Sequence, residues 1–263
     1  MSMIDGTILN KEAFPSPHPK INLYTVTYYS DGLRVKGLLA EPQGNESLDG
    51  FLYLRGGIKN VGKVRAGRII EFASKGFVVF APFYRGNQGG EGFEDFAGED
   101  RKDAISAFAV LENHPRVKKV HVFGFSRGGV MALWTAIHCP QAASLVTWNG
   151  VSDLFLTYEE RVDMRRMMKR VLGGSPNKNP KSYRFRTPEE ELKDIQCPVL
   201  IIHGVLDGNV SIEHSTNLEK KLLQYNKEVE CWYLSKYKHH FPPHENRRMV
   251  EKLTNWMKNS NQK

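Results

Sequence analysis

Apolar positions along the chain alternate between short strand-like runs and longer repeats at helical spacing. Strand-like runs lie at residues 51–54, 77–81, 119–123, 143–148, 198–202 and 229–234. Helical spacing marks residues 61–74, 100–111, 130–138 and 212–225, and a terminal helix around residues 249–257. Apolar strands without alternation are typical of sheets that helices cover on both faces. The pattern predicts an α/β fold with a mostly parallel central sheet.

Two segments depart from this rhythm. Residues 23–29 and 33–40 alternate and flank Ser30-Asp31-Gly32, which predicts an N-terminal antiparallel hairpin. Residues 150–196 are too long for a simple crossover and contain a Met- and Arg-rich stretch, VDMRRMMKRVL. We interpret this segment as a small helical cap over a site, in preference to a membrane-binding or acidic-partner-binding helix. One domain spanning residues 1–263 is expected.

Composition narrows the classes of protein. The 263 residues are 40% hydrophobic and 25% charged, as in globular proteins, and no apolar run approaches the length of a membrane span. The N-terminus carries no secretory signal pattern, so we expect a soluble, cytoplasmic protein. The three cysteines, Cys139, Cys197 and Cys231, are far apart, which favours buried thiols in a reducing compartment.

The charge balance does not change this interpretation. The net charge is +8, but basic residues are mixed with acidic ones along the chain and form no nucleic-acid-binding motif. We therefore expect neither nucleic acid nor membrane as a partner. A surface of this charge would modestly attract acidic substrates.

Candidate chemistry begins at Gly124-Phe125-Ser126-Arg127-Gly128, a G-x-S-x-G pentapeptide between a predicted strand and a predicted helix. In that context the pentapeptide is typical of a nucleophile elbow, a sharp turn that exposes a serine hydroxyl. Gly124 and Gly128 lack the Cβ atoms that would clash where strand and helix nearly touch. Ser126 is therefore our candidate nucleophile.

A serine hydroxyl needs a base and an acid that orients this base. Loops at the carboxyl ends of parallel strands meet at one sheet edge, and two of these loops carry suitable residues. Asp207 follows the strand at residues 198–202, and His239 follows the last strand, which yields the order Ser, Asp, His. Asp153 is the alternative acid and His240 the alternative base, while His203, at a strand exit, is interpreted as structural.

An oxyanion formed during acyl transfer requires hydrogen-bond donors. The candidates are the backbone amides of Gly57 and Arg127, with the Arg55 side chain as a further candidate donor. No cofactor is expected. Histidines 239, 240 and 244 with Asp207 match no zinc signature, so no metal site is predicted either.

Most of the chain resembles the catalytic domain of the prolyl oligopeptidase family of α/β-hydrolases. The likeness rests on Tyr84-Arg85-Gly86 and the glycines after it, on residues 124–129, on the spacing from His203-Gly204 through Asp207 to Val210, and on His239 to Phe241 followed by Glu245-Asn246. The resemblance implies an α/β-hydrolase fold and a serine peptidase or esterase of the dienelactone hydrolase or dipeptidyl aminopeptidase type. It also implies substrate contacts from Tyr84 and Arg85.

Two positions depart from the family pattern. Arg55 stands where the family usually has Tyr or His before Gly-Gly, and His240 occupies the glycine that usually follows the base. The substrate-screening propeller of larger members is also missing, so we expect the cap to select substrates by size.

The expected function is hydrolysis of a small ester or a short peptide or amide through an acyl-enzyme on Ser126. The alternative, motivated by Arg55 and His240, is a non-catalytic ligand-binding protein on a hydrolase scaffold. The sequence does not distinguish ester from amide substrates and predicts no oligomeric state.

Overall fold

All nine strands of the described residues, 3–260, form a single sheet in a computed structural model of the chain. The strand order is β1-β2-β3-β5-β4-β6-β7-β8-β9. The strands are β1 (Ile8–Phe14), β2 (Ile21–Ser30), β3 (Leu33–Pro42), β4 (Leu48–Leu54), β5 (Phe77–Pro82), β6 (Val117–Phe125), β7 (Ser144–Trp148), β8 (Val199–Gly204) and β9 (Val229–Leu234).

Helices connect the strands. They are α1 (Ala66–Ala73), α2 (Arg101–Glu112), α3 (Gly128–His138), α4 (Leu154–Glu160), α5 (Arg165–Val171), α6 (Pro180–Arg184), α7 (Ile212–Gln224) and α8 (Pro243–Asn259), with short 3₁₀ turns at Val162–Met164 and Glu191–Asp194.

The sheet confirms the predicted fold class. Strands β5, β4, β6, β7, β8 and β9 run parallel, whereas β1, β2, β3 and β5 pair antiparallel. One apolar cluster joins the sheet to α2, α3 and α7, and a second cluster joins it to α1 and α8. Every residue of β5, β7 and β8 is buried, which explains why these strands are uninterrupted apolar runs. The carboxyl ends of the parallel strands therefore meet at one edge, between two helical layers.

Two elements differ from the sequence prediction. Strand β1 was not predicted, because it lies at the sheet edge with all seven residues exposed and carries no buried apolar face. Helix α1 begins at Ala66 instead of residue 61, because Gly57, Lys59 and Gly62 adopt positive φ angles and form a loop.

The predicted cap segment folds as short helices, α4 to α6 and the two 3₁₀ turns. Met168, Leu172 and Tyr183 are buried against the core cluster that contains α2 and α3. The cap therefore packs on the helical layer formed by α2 and α3. In the described part of the chain, every helix falls short of the length and apolarity required to cross a bilayer.

The cysteines are unpaired thiols, as predicted, but only Cys139 and Cys197 are buried, and Cys231 is half-buried. Burial raises the pKa of each of the three thiols to about 12, so they are protonated at neutral pH.

Candidate active site

Ser126 lies at a strained turn between β6 and α3. Its φ is +55°, a left-handed value that few residues other than glycine adopt. Hydrogen bonds to β7 and the residues after it stabilise the turn. The Ser126 N–H donates to the Trp148 carbonyl at 3.2 Å, and the Ser126 carbonyl accepts from the Val151 N–H at 2.9 Å. A Cβ at Gly124 would clash with the carbonyl oxygen of Gly128, so the strand and helix can meet only with glycine there. This geometry is that of a nucleophile elbow.

The loops after β8 and β9 place Asp207 and His239 together. His239 Nδ1 lies 2.7 Å from Asp207 Oδ2, and the Asp207 side chain is fully buried, whereas that of His239 is 10% exposed. Asp207 Oδ1 accepts from the N–H groups of Asn209 and Val210, at 2.8 and 3.1 Å. All these hydrogen bonds fix the carboxylate and the plane of the imidazole.

The charge of Asp207 sets the tautomer of His239. Burial alone would raise the pKa of Asp207, but the hydrogen bond from His239 and those from the backbone lower it below its ordinary value. An ionised carboxylate only accepts hydrogen bonds, so His239 Nδ1 carries the proton. In the neutral imidazole, His239 Nε2 is then the hydrogen-bond acceptor.

Ser126 and His239 both line a cavity of about 1250 Å³. Among residues 3–260, no hydrogen bond joins the Ser126 hydroxyl to His239 in this conformation. Catalytic hydrogen bonds are often long before substrate binds and shorten in the reactive complex.

His203 supports the site without entering it. Its Nδ1 lies 2.6 Å from Ser215 Oγ, and its Nε2 lies 3.0 Å from the carbonyl of Val210. Burial lowers the pKa of His203, so the ring is neutral, and its Nε2–H donates to Val210 and anchors the loop of Asp207. The ring has no exposed surface. This position agrees with the structural role predicted for it.

Asn149 is a residue that the sequence analysis missed. It follows β7 with a φ of +45° and is completely buried. Its Nδ2 donates to the His239 carbonyl at 2.8 Å, and its Oδ1 accepts from Gly204 N–H at 2.8 Å. Asn149 therefore joins the ends of β7 and β8 to the loop of the base. A polar residue directly after a buried parallel strand was the available signal.

Gly57 and Arg127 both line the cavity, and neither N–H donates a hydrogen bond to another residue in the 3–260 range. The backbone before Gly57 lies close to Ser126, since a Cβ added to Gly56 would lie 2.6 Å from the Ser126 Cβ. Both amides therefore stay the candidates for the oxyanion donors predicted from the sequence.

Glu94, also missed from the sequence, joins the two segments that carry these amides. Its Oε1 accepts from Arg55 Nη2 at 2.9 Å and from Arg127 Nη2, and its Oε2 accepts from Lys59 N–H at 2.7 Å and from Asn87 Nδ2 at 3.0 Å. Although burial would raise the pKa of Glu94, the two guanidinium groups lower it, so the carboxylate is ionised.

The guanidinium group of Arg55 forms hydrogen bonds with Glu94 and with the backbone around it. Its Nη1 donates to the Gly56 carbonyl at 3.0 Å, and its Nη2 donates to Phe83 and Glu94. Only 3% of the side chain is exposed. Arg55 is therefore placed to hold the loop 56–62 in shape, and its side chain is not directed at an oxyanion.

Comparison with known proteins identifies the family. The model of the prolyl oligopeptidase family matches residues 64–263. The chain belongs to the prolyl oligopeptidase family. A Bacillus subtilis (strain 168) protein named uncharacterized peptidase YtmA is 65% identical over 255 residues, which are 96% of this chain and 99% of that protein. Like other members of this family of serine peptidases and esterases, the chain is an enzyme, a serine hydrolase.

Solved structures share the fold. Acylaminoacyl peptidase from Pyrococcus horikoshii superposes with a TM-score of 0.78 and 20% identity over 94% of this chain and 43% of that one. Acetyl xylan esterase from Paenibacillus sp. R4 superposes with a TM-score of 0.75 and 16% identity over 94% of this chain and 88% of that one. This chain covers less than half of the acylaminoacyl peptidase, so the first match shows a shared fold over that part of the peptidase and nothing about the rest of it.

The structure does not place Tyr84 and Arg85 on the cavity, where the family resemblance implied substrate contacts. Tyr84 has no exposed surface and lies under the guanidinium groups of Arg55 and Arg127, with ring-to-carbon distances of 5.1 and 4.9 Å. Arg85 Nη2 donates to Asp103 Oδ1 at 2.8 Å inside the fold. Both side chains therefore stabilise the layer below the site and do not line the cavity.

Neither alternative, Asp153 or His240, takes part in the hydrogen bond between His239 and Asp207. Asp153 caps α4, where its Oδ1 accepts from Phe155 N–H at 2.6 Å and from Leu156 N–H at 3.3 Å. The His240 ring stacks on Phe125 at 5.5 Å and makes no hydrogen bond with Asp207 among the described residues. In this member of the family, His240 is therefore a wall of the cavity.

Proposed function

We propose that this enzyme hydrolyses a carboxylic ester or a short peptide or amide through an acyl-enzyme on Ser126, with His239 as base and Asp207 as its orienting acid. The observation that carries the proposal is the 2.7 Å pair of His239 Nδ1 and Asp207 Oδ2 in the cavity that Ser126 lines. The fixed tautomer leaves Nε2 free to accept the serine proton.

The reaction follows from this arrangement. Ser126 Oγ bonds to the carbonyl carbon of the substrate while its proton passes to His239 Nε2. The amides of Gly57 and Arg127 donate to the resulting oxyanion. When the bond to the leaving group breaks, His239 transfers the proton to the departing nitrogen or oxygen. Water then attacks the acyl-enzyme, loses its proton to His239, and releases the acid and the Ser126 hydroxyl.

The cavity has the size and lining for a small substrate. Ile58, Phe96, Val151, Met164 and Met167 contribute apolar surface, and the last two belong to the cap. The cap therefore closes one side of the cavity, consistent with selection by size. The relative with 65% identity is named a peptidase, which favours peptide or amide bonds, while acetyl xylan esterases share the fold.

A fluorophosphonate probe tests the nucleophile. We expect one adduct per chain, mapped to Ser126 by peptide mass spectrometry, and none in a folded Ser126→Ala variant. Labelling should slow by orders of magnitude in His239→Ala but only slightly in His240→Ala, because only His239 contacts Asp207. A folded wild-type protein that resists labelling would favour the non-catalytic alternative.

A substrate panel tests the bond class. Nitrophenyl esters of increasing acyl length are compared with aminoacyl and dipeptidyl amides, with Ser126→Ala as the control. Turnover of the amides would extend the proposal to peptide bonds. Turnover of the esters alone would restrict it to esterase activity.

A further inference from the structure

The walls of the active-site cavity differ in charge. Apart from Arg127, whose guanidinium is buried below the elbow, six charged side chains line the cavity: Lys63, Arg65, Arg68, Glu71, Arg161 and Asp163. Four are basic and two acidic, so the lining carries an excess of positive charge.

Both acidic side chains are already paired. Glu71 accepts from Arg68 Nη1 at 2.7 Å and from Asn246 Nδ2 at 3.0 Å. Asp163 accepts from Arg161 at 2.8 and 2.9 Å. Lys63 and Arg65 are exposed to the cavity and form no ion pair with any of residues 3–260. The excess charge is therefore carried by these two side chains, and we refer to Lys63, Arg65 and Arg68 as the basic wall.

The basic wall lies on the side of the cavity that holds the base. The ring of His240 stacks on Phe125, the residue before Ser126, and lies 5.0 Å from the ring of His239. Phe241, which follows the two histidines, packs on Trp148 with ring centroids 5.0 Å apart, and the guanidinium carbon of Arg68 lies 5.4 Å from the Trp148 ring. Arg68 Nη1 also donates to Asn246 Oδ1 at 3.1 Å, just after the same loop. The contacts thus run in the order Ser126 and Phe125, the two histidines, Phe241 and Trp148, and the basic wall.

This order assigns the wall to one part of the substrate. In acyl transfer the base delivers its proton to the leaving group, so the leaving group departs on the side of His239. The acyl part remains bound to Ser126. A charged group on the leaving part would therefore lie nearest to the basic wall.

Resting on the proposed hydrolase function, we infer that the preferred substrates carry a carboxylate on the leaving group and that Lys63 and Arg65 bind it. For a peptide, this is the free C-terminal carboxylate, close to the cleaved bond. For an ester, it is a hydroxy acid as the leaving group. A carboxylate on the acyl part, which stays bound to Ser126, is on the other side of the cleaved bond from the wall, and we expect it to gain no such partner.

Matched ester pairs test the inference. The leaving-group pair is 3-carboxyphenyl acetate and 3-carbamoylphenyl acetate, and the acyl pair is the monophenyl ester of succinic acid and phenyl butyrate. An N-acetyl dipeptide and its C-terminal amide form the peptide pair. We expect kcat/KM to favour the carboxylate in the leaving-group and peptide pairs by about tenfold, chiefly through KM, with no preference in the acyl pair.

Variants connect this preference to the wall. Arg65→Gln and Lys63→Gln should each lower the carboxylate preference, the ratio of kcat/KM within a pair, about threefold, and the double variant about tenfold. Lys220→Gln, an exposed change on α7 outside the cavity, is the control. The preference should also fall with ionic strength.

The outcomes separate the two proposals. Ester turnover without a carboxylate preference, a preference in the acyl pair alone, or a preference unchanged in the double variant would each overturn the inference and leave the hydrolase function intact. Failure to turn over any ester, together with the absence of fluorophosphonate labelling, would instead overturn the proposed function and the inference that rests on it.

Discussion

At the scale of single residues, the proposed mechanism makes the reactivity of Ser126 depend on the Asp207–His239 pair. Asp207→Asn keeps the shape but lets the amide donate to Nδ1, which places the proton on Nε2. We expect kcat to fall by about 10⁴ with little change in the fold, because the base then has the wrong tautomer. Steady-state kinetics on the best ester, with circular dichroism as a check of folding, measures this.

Asp153→Asn is the matched control for this change. Asp153 caps α4 and has no contact with His239 among the described residues. Loss of the charged cap should cost about 1 kcal/mol at most in stability and leave kcat within about threefold of wild type. A larger loss of kcat in Asp153→Asn than in Asp207→Asn would contradict the assignment of the acid.

The placement of single residues was predictable where a residue type has few uses in its position. The motif and the order along the chain alone singled out Ser126, Asp207 and His239, and the structure brings Ser126 and His239 to one cavity and pairs His239 with Asp207. Tyr84 and Arg85 were misjudged because a sequence motif does not show whether its side chains face the cavity or the interior. Glu94 was missed because three of its four partners, at residues 55, 59 and 127, are distant in sequence and only Asn87 is near.

At the scale of elements, the loop 56–62 and the start of α3 must be held together, since each supplies one amide to the proposed oxyanion site. Glu94 contacts both through Arg55, Lys59 and Arg127. Glu94→Gln weakens these contacts, and we expect kcat to fall by about 10², with KM changed much less. Binding of a boronic acid that mimics the tetrahedral intermediate should weaken in parallel.

Two further variants complete this test, one as a control and one as a replacement for Glu94→Gln. Glu91→Gln changes a partly exposed glutamate of the same loop that pairs with Arg34, and should leave kcat unaltered. Asn87→Ala removes one of the four hydrogen bonds of Glu94 and serves if Glu94→Gln fails to fold. Unchanged boronate affinity in folded variants that lack Glu94 contacts would show that Glu94 does not position the amides.

Elements were predicted well where burial imposes a pattern. The core strands are apolar on both faces, and their positions agree with the sequence prediction within a few residues. Strand β1 was not predicted because it has no buried face and so no alternation of apolar and polar residues. Residues 61–65 were wrongly assigned to a helix, because the polarity of a sequence does not show the positive φ angles of Gly57, Lys59 and Gly62. The internal helices of the cap depend on packing against α2 and α3 that the sequence does not reveal.

At the scale of the whole molecule, a buried carboxylate links stability to pH. Burial raises the pKa of Asp100 to about 7, against the opposing charge of Arg127. The unfolded chain loses this proton near pH 4, as an ordinary aspartate does, so the folded state binds the extra proton between about pH 4 and pH 7. The resulting stabilisation is complete at low pH and is lost as pH rises through about 7.

Asp100→Asn cannot ionise and so removes this dependence. We expect the Tm of the variant, relative to wild type, to rise between pH 5 and pH 8, measured by differential scanning calorimetry at several pH values. Asp194→Asn, an exposed change in the 3₁₀ turn Glu191–Asp194, should show no such trend. A difference in Tm between Asp100→Asn and wild type that stays constant or shrinks with pH would contradict the assigned direction.

The proposed acyl-enzyme on Ser126 can be observed in the pre-steady-state hydrolysis of a nitrophenyl ester. We expect a burst of about one nitrophenol per chain when deacylation is slow, with an intact mass increased by one acyl group that maps to Ser126. Ser126→Ala should show neither. Steady turnover by the wild-type enzyme with no burst and with the acyl group on another residue, or turnover retained in Ser126→Ala, would contradict it.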